Sequence, residues 1–578
     1  MQEISKNLDR AILLGNEAIV RGALEAAVQF VATYPGTPVS EIGNEFAKVA
    51  ANNNKLYFEF STNEKLAIEA VIGASFSGLR CLCVMKNFGL NVATDSLLPF
   101  LYTGSKGPTV IVVADDPSCY SSAQSEENSR GFAQLAHIPI LEPADVQECF
   151  DFTKLAFEIS EKFKIPVMVR LTTRVAHQRS IVEFKVQSEK LKVNEGEFIK
   201  DKNRFVTMPP RVLEMHGELL EKIERIRTYA EESEMSLLLN QKSNIKNQND
   251  KSKIKNSRMG VITSGVSYLY AMEALQTLEL DLPVLKLGFF YPLAEQKIKN
   301  FIKPLKKVLV VEELDPYLEK EVERLAKTAN PKLKIFGKCL LPEVGELKPE
   351  HVMRALAAVV GKKIKDAPVS DFKTIKHIPR FCTQPMCPYW KVFAALKKAV
   401  PGDPSAISGQ VFGGDIGCYM IAGFAPMNFY DYMFCMGSSI GIGHGIAKAV
   451  NGSQKVITVM GDSTFFHSGM PALLNVVYNQ SNILAIIVDN RITAMTGHQP
   501  NPGMGQNIES GQTAEVKIED ICRALQVKNL RVIDPVDNFN GFVEAIKEFY
   551  PKNEVSVIVA RRMCALLEKR GQTSKKLL

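Results

Sequence analysis

The sequence predicts an α/β protein built from three doubly wound parallel-sheet domains. Short apolar segments typical of buried strands alternate with helical patterns along most of the chain. This alternation occurs in three separate blocks, at about residues 11–174, 259–341 and 379–562. Such alternation indicates parallel sheets that are covered by helices on both faces.

The predicted strands are short apolar segments within each block. In the first block they are AILL, LYFEF, RCLCVM, TVIVVA and PVMVRL. In the second block they are MGVITSG, PVLKLG and KVLVVEE, and in the third YMFCMG, KVITVMGD, ILAIIVDN, NLRVID and VSVIVARR. Strands that are apolar throughout are typical of the interior of a parallel sheet.

These blocks predict three domains, at residues 1–185, 259–370 and 371–578, with a charged linker or insert at 186–258. Within the insert, Gln241–Arg258 contains six basic residues and one acid, and so carries most of the net charge of +7. Its content of Asn, Ser and Lys is typical of a solvated loop. Because no aromatic residues are interleaved with the basic ones, we expect no nucleic-acid role.

Composition limits the class of protein. The 578 residues are 46% hydrophobic and 23% charged, as in ordinary globular proteins. No apolar run approaches the ~20 residues that cross a bilayer, and the N-terminus lacks the pattern of a secretory signal. Eleven cysteines without a framework of spacings indicate free thiols in a reducing compartment. We therefore expect a cytoplasmic protein with no membrane span.

Two polar residues follow neighbouring apolar strands of the third block. Asp462 comes directly after KVITVMG, and Asn490 comes 28 positions later, after ILAIIVD. Ligands of parallel sheets bind at the carboxyl ends of the strands. A carboxylate, an amide oxygen and the carbonyl of Ile492 would suit Mg²⁺. The alternative is that Asp462 caps a helix beginning near Ser468 and that Asn490 lies in a turn.

The chain resembles a known family over nearly its whole length. Gly461-Asp462, with Asn490 following, resembles the thiamine-diphosphate motif that begins with Gly-Asp and ends with Asn. GDSTFFHSGMPALLNVVYN and DNRITAMTGHQP resemble the alpha subunits of indolepyruvate ferredoxin oxidoreductases. Further matching segments, in the family's order, are LLGNEAIVRGALEAAVQFVATYPGTPVSEI, STNEKLAIEAVIGASFSGLRCLCVMKNFGLNVATD, ADDPSCYSSAQSEENSRGFAQLAHIPILEP, GVITSGVSYLYAMEAL, LKLGFFYPL, GDIGCYM and CMGSSIGIGHG.

This resemblance implies thiamine diphosphate and Mg²⁺ as cofactors. It implies that the three domains are, in chain order, a pyrimidine-binding domain, a transketolase C-terminal-like domain and a domain that binds the diphosphate and Mg²⁺. The metal ligands would be Asp462, Asn490 and the carbonyl of Ile492. Further cofactor contacts would come from Gly437, Gly461, Ser463 and Cys387.

The resemblance also implies a residue that activates the cofactor. Glu64, in STNEKLAIEAVIGAS, matches the glutamate that hydrogen-bonds the aminopyrimidine and promotes loss of the thiazolium proton. We predict that Glu64 opens a helix after the strand LYFEF. The alternative is that Glu64 only favours the helix dipole, as acids in first turns do. Glu69 is a weaker candidate for the same role.

Thr37 has two interpretations that do not exclude each other. In YPGTPVSE, Thr37 predicts a helix N-cap with Pro38 at the first helical position. In related 2-oxoacid oxidoreductases this threonine lies near the substrate, so the resemblance also implies a catalytic-site role for Thr37.

Four further residues are candidates for contact with substrate. His467 and His498 flank the predicted metal ligands and would meet a substrate carboxylate or oxyanion, although a lone histidine is more often structural. Lys86 and Arg130 lie in segments that match the family and are candidate partners for an anion.

The sequence departs from the family in two places. Tyr389, in FCTQPMCPYW, stands where the family has histidine. In addition, the family continues into a ferredoxin-like domain with Cys-x2-Cys-x2-Cys runs, and this chain ends about where that domain would begin. Only Cys81-x-Cys83 and Cys382-x4-Cys387 are closely spaced, and neither is a cluster signature. We therefore expect no iron–sulfur cluster in this chain.

The resemblance implies oxidative decarboxylation of an aryl or other bulky 2-oxoacid, such as indolepyruvate, to an acyl-coenzyme A. Electrons would pass to a beta or other iron–sulfur partner subunit and to ferredoxin, and the chain would form a homodimer or a larger assembly. Two alternatives remain: a non-oxidative decarboxylase or carboligase, and a non-catalytic subunit of an oxidoreductase complex.

Overall fold

A computed structural model describes most of the chain, in the ranges 10–122, 124–184, 195–233, 236–239, 259–364, 386–400, 409–425, 427–508 and 511–569. The predicted basic insert at 241–258 and Cys382 lie outside these ranges. The chain divides into two compact units, residues 1–370 and 371–578. The predicted domain boundaries stay predictions.

The first unit contains strands β1–β14. They are β1 Arg10–Leu14, β2 Phe30–Thr33, β3 Tyr57–Phe60, β4 Cys81–Lys86, β5 Thr109–Asp115, β6 Ile140–Leu141, β7 Val167–Thr172, β8 Arg179–Glu183, β9 Ser236–Leu239, β10 Met259–Ser264, β11 Val284–Leu287, β12 Phe289–Tyr291, β13 Lys307–Val311 and β14 Lys334–Phe336.

The helices of the first unit lie between these strands. They are Gly15–Glu25, Ser40–Ala50, Glu64–Phe76, Asn87–Thr103, Phe132–Ala136, Val146–Phe163, Thr173–His177, Lys202–Phe205, Arg211–Glu232, Ser267–Thr277, Glu295–Ile302, Tyr317–Ala329 and Pro349–Val360, with 3₁₀ turns at Pro117–Cys119 and Ser129–Gly131.

Two sheets form the body of the first unit. The larger has seven strands in the order β12-β6-β7-β5-β4-β2-β3, and the smaller has five in the order β14-β13-β10-β11-β9. Pairing is parallel except at one edge of each sheet, where β12 runs antiparallel to β6 and β9 to β11. Every residue of β5, at the centre of the larger sheet, is buried. Helix Gly15–Glu25 packs on Val146–Phe163, and Glu64–Phe76 packs on Asn87–Thr103.

Strand β12 joins the two sheets of the first unit. It follows β11 of the five-stranded sheet after a single residue, yet it pairs with β6 of the seven-stranded sheet. The backbone N–H of Glu142 also donates to the carbonyl of Gly288, at 2.9 Å. The sequence blocks did not predict this exchange of a strand.

One predicted strand lies outside the parallel sheets. The segment AILL forms β1, which pairs antiparallel with β8 in a separate two-stranded sheet. Its placement in a parallel sheet was therefore wrong. The physical reason is exposure: Ile12, in the middle of the strand, is 71% exposed, so only one side of this ribbon packs on the protein. Strand β2, within the seven-stranded sheet, was not predicted because its sequence FVAT continues the apolar pattern of the preceding helix.

The second unit contains strands β15–β22. They are β15 Gln410–Gly414, β16 Tyr432–Met433, β17 Lys455–Gly461, β18 Ile483–Asp489, β19 Gln506–Asn507, β20 Gly511–Gln512, β21 Asn529–Ile533 and β22 Ser556–Arg561. Its helices are Pro388–Ala399, Ser438–Val450, Asp462–Thr464, the π-helix Phe465–Gly469, Met470–Tyr478, Ile518–Ala524 and Phe539–Phe549, with 3₁₀ turns at Cys418–Gly423 and Pro502–Met504.

A six-stranded parallel sheet, in the order β16-β15-β17-β18-β22-β21, forms the core of the second unit. All residues of β17 and β18 are buried. Helices pack in two pairs, Pro388–Ala399 with Phe539–Phe549 and Ser438–Val450 with Met470–Tyr478. The predicted fold class, α/β with three mainly parallel sheets, is confirmed. None of the helices in the described ranges combines the length and the apolar character needed to cross a membrane.

Candidate active site

Asp462 and Asn490 lie side by side at the carboxyl edge of the sheet in the second unit. Strands β17 and β18 are parallel neighbours, with Gly461 opposite Val488. Asp462 directly follows β17 and Asn490 directly follows β18, and both side chains are buried. Two largely apolar strands thus present Asp462 and Asn490 where the chain leaves the sheet, which is where parallel sheets bind ligands.

The Asp462 carboxylate accepts hydrogen bonds from neutral groups but has no cationic partner among the described residues. Ser463 N–H donates to one oxygen at 2.7 Å, and the Asn501 amide donates to the other at 3.0 Å. Burial, with the charge of Asp489 nearby, raises the pKa of Asp462 to about 7. Asp489 itself is paired with Arg561 at 2.7 Å. Burial of this carboxylate without a cationic partner carries a desolvation penalty. A cation bound at Asp462 would offset that penalty.

Asn490 is held in one orientation. Its amide nitrogen donates to the Tyr389 hydroxyl at 3.0 Å, and its amide oxygen accepts from the Ile492 backbone N–H at 3.2 Å. Its own backbone carbonyl accepts from Cys564 N–H at 3.0 Å. Arg491, which lies between Asn490 and Ile492 in the chain, has a left-handed backbone conformation, with φ of 65°. The donor set of a carboxylate, an amide oxygen and a backbone carbonyl fits the oxygen ligation that Mg²⁺ prefers.

Tyr389, the residue that departs from the family pattern, belongs to this arrangement. It lies in the first turn of helix Pro388–Ala399, is buried, and packs its ring 5.6 Å from that of Tyr419. Burial, with Cys418 and Asp462 nearby, raises the pKa of Tyr389 well above its ordinary value, so the hydroxyl stays protonated. Cys387 precedes the helix and is buried. Tyr389 therefore orients Asn490 from the position that the family gives to histidine.

Gly437 allows a close approach of two backbones beside this edge. Its φ is 89°, and a Cβ atom here would lie 2.4 Å from the Cβ of Ser468. Its N–H donates to Asp415 at 2.7 Å, and Ser439 N–H donates to the other carboxylate oxygen at 3.0 Å. Asp415 thus caps helix Ser438–Val450, and burial raises its pKa to about 6. A side chain at position 437 would force these segments apart.

Asp415 and Asn501 belong to this site but were not predicted as site residues. Asp415 lies in the segment GDIGCYM that was matched to the family, so a signal was available. Asn501 lies 39 positions after its partner Asp462, and no sequence spacing indicates that contact.

The two candidate histidines occupy different settings. His467 lies in the π-helix Phe465–Gly469, is buried, and its Nδ1 contacts the Ser468 hydroxyl. Insertions of this type are frequent at functional sites. His498 has a left-handed backbone, with φ of 68°, and its Nε2 lies 3.8 Å from the Cys564 sulfur. The substrate roles of both stay predictions.

In the first unit, Glu64 opens a helix as predicted. It is the first residue of Glu64–Phe76, which follows β3, and Asn63 caps that helix by accepting from Leu66 N–H at 2.9 Å. Glu64 is buried, and Gly89 leaves the space for it: a Cβ at position 89 would lie 2.6 Å from Glu64 Cγ and 2.9 Å from Oε1. Glu69 is exposed and accepts from the Ser96 hydroxyl at 2.7 Å, so it lacks the buried setting of Glu64.

Lys86 and Gly36 both lie at the carboxyl edge of the seven-stranded sheet. Lys86 ends β4, its side chain passes Gly36, and its ammonium lies 4.5 Å from the centroid of the Phe88 ring. Burial lowers the pKa of Lys86, and the charges of Glu64 and Asp116 oppose this shift. Lys86 therefore lies within electrostatic reach of Glu64, which supports the prediction that it binds an anion.

Two predictions for this unit need correction. Thr37 is not a helix N-cap: helix Ser40–Ala50 begins three residues later, and Thr37 and Pro38 lie in a turn. Arg130 is not placed to hold a substrate anion, because its guanidinium already binds Glu142 through two nitrogens, both at 2.7 Å, and Glu312 at 3.0 Å. Arg130 is a buried structural residue.

Family models match both units. Residues 21–218 match the thiamine diphosphate-binding model of pyruvate flavodoxin/ferredoxin oxidoreductases. Residues 415–560 match the C-terminal TPP-binding domain of thiamine pyrophosphate enzymes. The second match includes Asp415, Gly437, Asp462 and Asn490, and the first includes Glu64. The two matches thus cover the carboxyl edges at which the structure gathers the candidate residues.

Curated relatives match the chain from end to end. Indolepyruvate oxidoreductase subunit IorA of Methanothermobacter thermautotrophicus is 40% identical over 564 residues, covering 96% of this chain and 87% of the relative. The IorA subunit of Thermococcus kodakarensis is 40% identical over 96% of this chain and 86% of the relative. That of Archaeoglobus fulgidus is 37% identical over 98% and 88%, respectively. The chain therefore belongs to the IorA family of 2-oxoacid:ferredoxin oxidoreductase subunits.

Proposed function

We propose that this chain catalyses the thiamine diphosphate- and Mg²⁺-dependent oxidative decarboxylation of an aryl or other bulky 2-oxoacid, such as indolepyruvate, to an acyl-coenzyme A. The observation that carries the proposal is the 40% identity to indolepyruvate oxidoreductase subunits over 96% of the chain. The buried, oriented oxygen donors at the ends of β17 and β18 support it independently.

In this proposal the second unit holds the diphosphate through Mg²⁺. Asp462 supplies the anionic ligand, while Asn490 and the Ile492 carbonyl supply neutral ones. Tyr389 keeps the Asn490 amide oxygen facing the ion by accepting from the amide nitrogen, at 3.0 Å. Ser463, Gly437, Gly461 and Cys387 line the same edge and would contact the cofactor.

Glu64 performs the proton transfer that activates the cofactor. Thiamine diphosphate, when bound, would supply a carbanion as the nucleophile toward the keto carbon of a 2-oxoacid. Glu64 would hydrogen-bond the aminopyrimidine and promote loss of the thiazolium proton. Its burial suits this role, because a carboxyl group that is shielded from water keeps a fixed orientation toward its partner.

Thr37, Lys86 and His467 are the proposed substrate contacts. A 2-oxoacid carries a carboxylate, and the Lys86 ammonium is a cation at the carboxyl edge of the seven-stranded sheet. The Thr37 hydroxyl and the His467 imidazole would donate to the keto oxygen or to the carboxylate. An aryl substrate would place its ring away from these polar groups.

The reaction requires partners. Conversion of a 2-oxoacid and coenzyme A to acyl-coenzyme A and CO₂ releases two electrons, which must leave the site. We propose that a beta or other iron–sulfur subunit accepts them and passes them to ferredoxin. We also propose at least a homodimer, as the resemblance to this family implies.

The test is reconstitution with and without an iron–sulfur partner. The chain is purified anaerobically alone and together with copurifying subunits, loaded with Mg²⁺ and thiamine diphosphate, and given indolepyruvate, phenylpyruvate, pyruvate or 2-oxoglutarate. We expect coenzyme A-dependent reduction of a low-potential dye, with the aryl substrates preferred, only when the partner is present. The chain alone should contain negligible iron and decarboxylate slowly.

Two outcomes would contradict the proposal. Rapid conversion of a 2-oxoacid to an aldehyde by the chain alone would favour a non-oxidative decarboxylase or carboligase. Full activity of a complex in which Glu64 is replaced by glutamine would favour a non-catalytic, organising role for this chain.

A further inference from the structure

A basic cleft lies at the amino edge of the seven-stranded sheet, opposite the edge that carries Glu64 and Lys86. Its volume is about 500 Å³. Helices Asn87–Thr103 and Val146–Phe163 end there, immediately before β5 and β7, and helices Lys202–Phe205 and Arg211–Glu232 close it. We call this site the basic cleft. Its cationic lining residues are Lys162, Lys164, Arg204, Arg211, Lys222 and Arg225.

The positive charge of the basic cleft is not neutralised within the described residues. Only one of its cations forms ion pairs there: Arg211 binds Glu218 at 2.6 Å and Glu214 at 3.1 Å. Asp201 is the other acidic residue in the lining, and its carboxylate accepts from the Arg204 backbone N–H. Two helix C-termini add about one further negative charge. An excess of about three positive charges therefore remains.

Arg204 and Lys222 lie at the centre of this excess. The Arg204 guanidinium donates to the Ser105 carbonyl at 2.7 Å, and Lys222 donates to the Lys164 carbonyl at 3.0 Å. These carbonyls complete the ends of the two helices but carry no net charge. The Nε–H of Arg204 is buried and has no hydrogen-bond partner in the described part of the chain. A buried donor without an acceptor is costly, so the guanidinium of Arg204 is incompletely satisfied by the protein alone.

The titration of Lys222 supports the same conclusion. Burial and the neighbouring charges of Arg204 and Arg225 together lower the pKa of Lys222 to about 8, while Glu218 opposes them. Burial also lowers the pKa of Arg204. Two cations that are partly withdrawn from water and repel each other are stabilised by an anion between them.

We propose that the basic cleft binds a phosphorylated small molecule of nucleotide size. Phosphate groups would lie against Arg204 and Lys222, since a guanidinium and an ammonium together suit a doubly charged phosphate. The cleft is much larger than one phosphate and lies within the range of small-molecule sites. Tyr102 and Phe163 in its lining would contact the organic part of the ligand. This proposal stands independently of the proposed function, because the basic cleft and the Glu64 edge lie at opposite ends of the sheet.

The test is titration calorimetry of the full chain with pyrophosphate, ADP and adenosine as probes. We expect saturable binding of ADP and pyrophosphate. Lys222→Gln should weaken binding of both about 10-fold or more, as loss of a charge-assisted hydrogen bond does. The matched control is Lys320→Gln, which removes an exposed lysine of the same unit and should leave affinity unchanged.

Two further variants test whether a folding defect, rather than a lost contact, explains weaker binding. Arg225→Ala and Lys162→Ala change exposed residues of the lining and should each weaken ADP binding several-fold with an unchanged melting temperature. Absence of saturable binding up to millimolar probe would overturn the proposal. So would equal losses in Lys222→Gln and Lys320→Gln, or adenosine binding as tightly as ADP.

A pH series gives a second readout. The free Lys222 ammonium titrates near pH 8, and a bound phosphate would raise its pKa. ADP affinity should therefore fall as pH rises from 7 to 9, with proton uptake on binding near pH 8. A phosphate monoester is fully ionised over this range, since its second pKa is about 6. Lys222→Gln should remove this pH dependence, and its persistence in that variant would contradict the proposed contact.

Discussion

The charge cluster around Glu142 in the first unit and the Asp462 site in the second unit bury charge in different ways. In the first unit, Arg130 and Arg170 share the Glu142 carboxylate, and Arg170 also binds Asp115. All four side chains are buried, and each has an opposite charge within hydrogen-bonding distance. In the second unit, Asp462 is equally buried but only neutral donors reach it. Buried charge with its partner present is structural, whereas buried charge without one indicates a ligand.

This difference has a thermodynamic consequence. A paired cluster contributes to stability only while it is complete, because removal of one member leaves an uncompensated charge in a low-dielectric interior. An unpaired carboxylate costs stability in the free protein and recovers that cost when a cation binds. Substitutions in the two regions should therefore have opposite effects on folding and on cofactor binding.

The largest effect is expected from Asp462→Ala. The proposed Mg²⁺ site would lose its only anionic ligand, a loss comparable to removal of one partner of a buried ion pair, and cofactor affinity should fall at least about 1000-fold. The melting temperature of the cofactor-free protein should not fall, because the substitution removes a buried carboxylate that has no cationic partner. Calorimetry with Mg²⁺ and thiamine diphosphate measures the first quantity, and Asp520→Ala on the surface is the control. Unchanged affinity would remove Asp462 from the metal site.

Glu64→Gln should separate binding from activation. The amide keeps the size of the side chain but cannot transfer a proton, a function that contributes about 10²- to 10⁴-fold. The variant should bind thiamine diphosphate normally and exchange the thiazolium C2 proton more slowly by that factor. NMR of deuterium exchange measures the rate, with Glu69→Gln as the control. A wild-type exchange rate would show that another group activates the cofactor.

Arg130→Met should break the paired cluster. It leaves Glu142 and Glu312 short of a counter-charge, and the free energy of unfolding should fall by about 3–5 kcal/mol whether or not cofactor is present. Arg211→Met is the control, because its ion pairs are exposed and exposed ion pairs stabilise proteins little. Urea denaturation measures both. Similar small losses in the two variants would mean that the Arg130 cluster is not a stability determinant.

The smallest effect is expected from Tyr389→Phe. It removes the hydroxyl that accepts from Asn490 and retains the packing of the ring on Tyr419. Loss of that hydrogen bond should cost about 1–2 kcal/mol, or about 5- to 30-fold in Mg²⁺-dependent cofactor affinity. Tyr389→His should restore part of this affinity by supplying a ring nitrogen as the acceptor. Equal affinity of the wild type and Tyr389→Phe would mean that Asn490 needs no such support.

The sequence predicted those parts of the site that depend on strand ends. Asp462 and Asn490 follow two largely apolar strands, so their position at one edge follows from the parallel sheet itself. The contacts of Asn501 with Asp462 and of Tyr389 with Asn490 depend on loop conformation, and no local pattern encodes them. The family resemblance, rather than residue pattern, supplied the role of Glu64.

The same limit explains the errors in the first unit. Thr37-Pro38 has the composition of a helix start, but tertiary packing delays the helix to Ser40. Arg130 was assigned to an anion because it lies in a segment that matches the family. Its partner Glu142 is 12 positions away and Glu312 is 182 positions away, and no local pattern indicated either contact. The basic cleft is assembled from four separate segments and has no signature in any one of them.

The pairing of strand β12 limits how the first unit can be divided into fragments or joined in chimaeras. The strand follows β11 of the five-stranded sheet in the chain but pairs with the edge of β6 in the seven-stranded sheet. Glu312, just beyond β13, forms an ion pair with Arg130. A fragment that stops at residue 258 would expose the edge of β6 and leave a buried guanidinium with fewer carboxylates. The two sheets are therefore poor modules for shuffling: chimaeras joined within this unit should express as aggregates, whereas junctions near residue 370 keep both sheets intact.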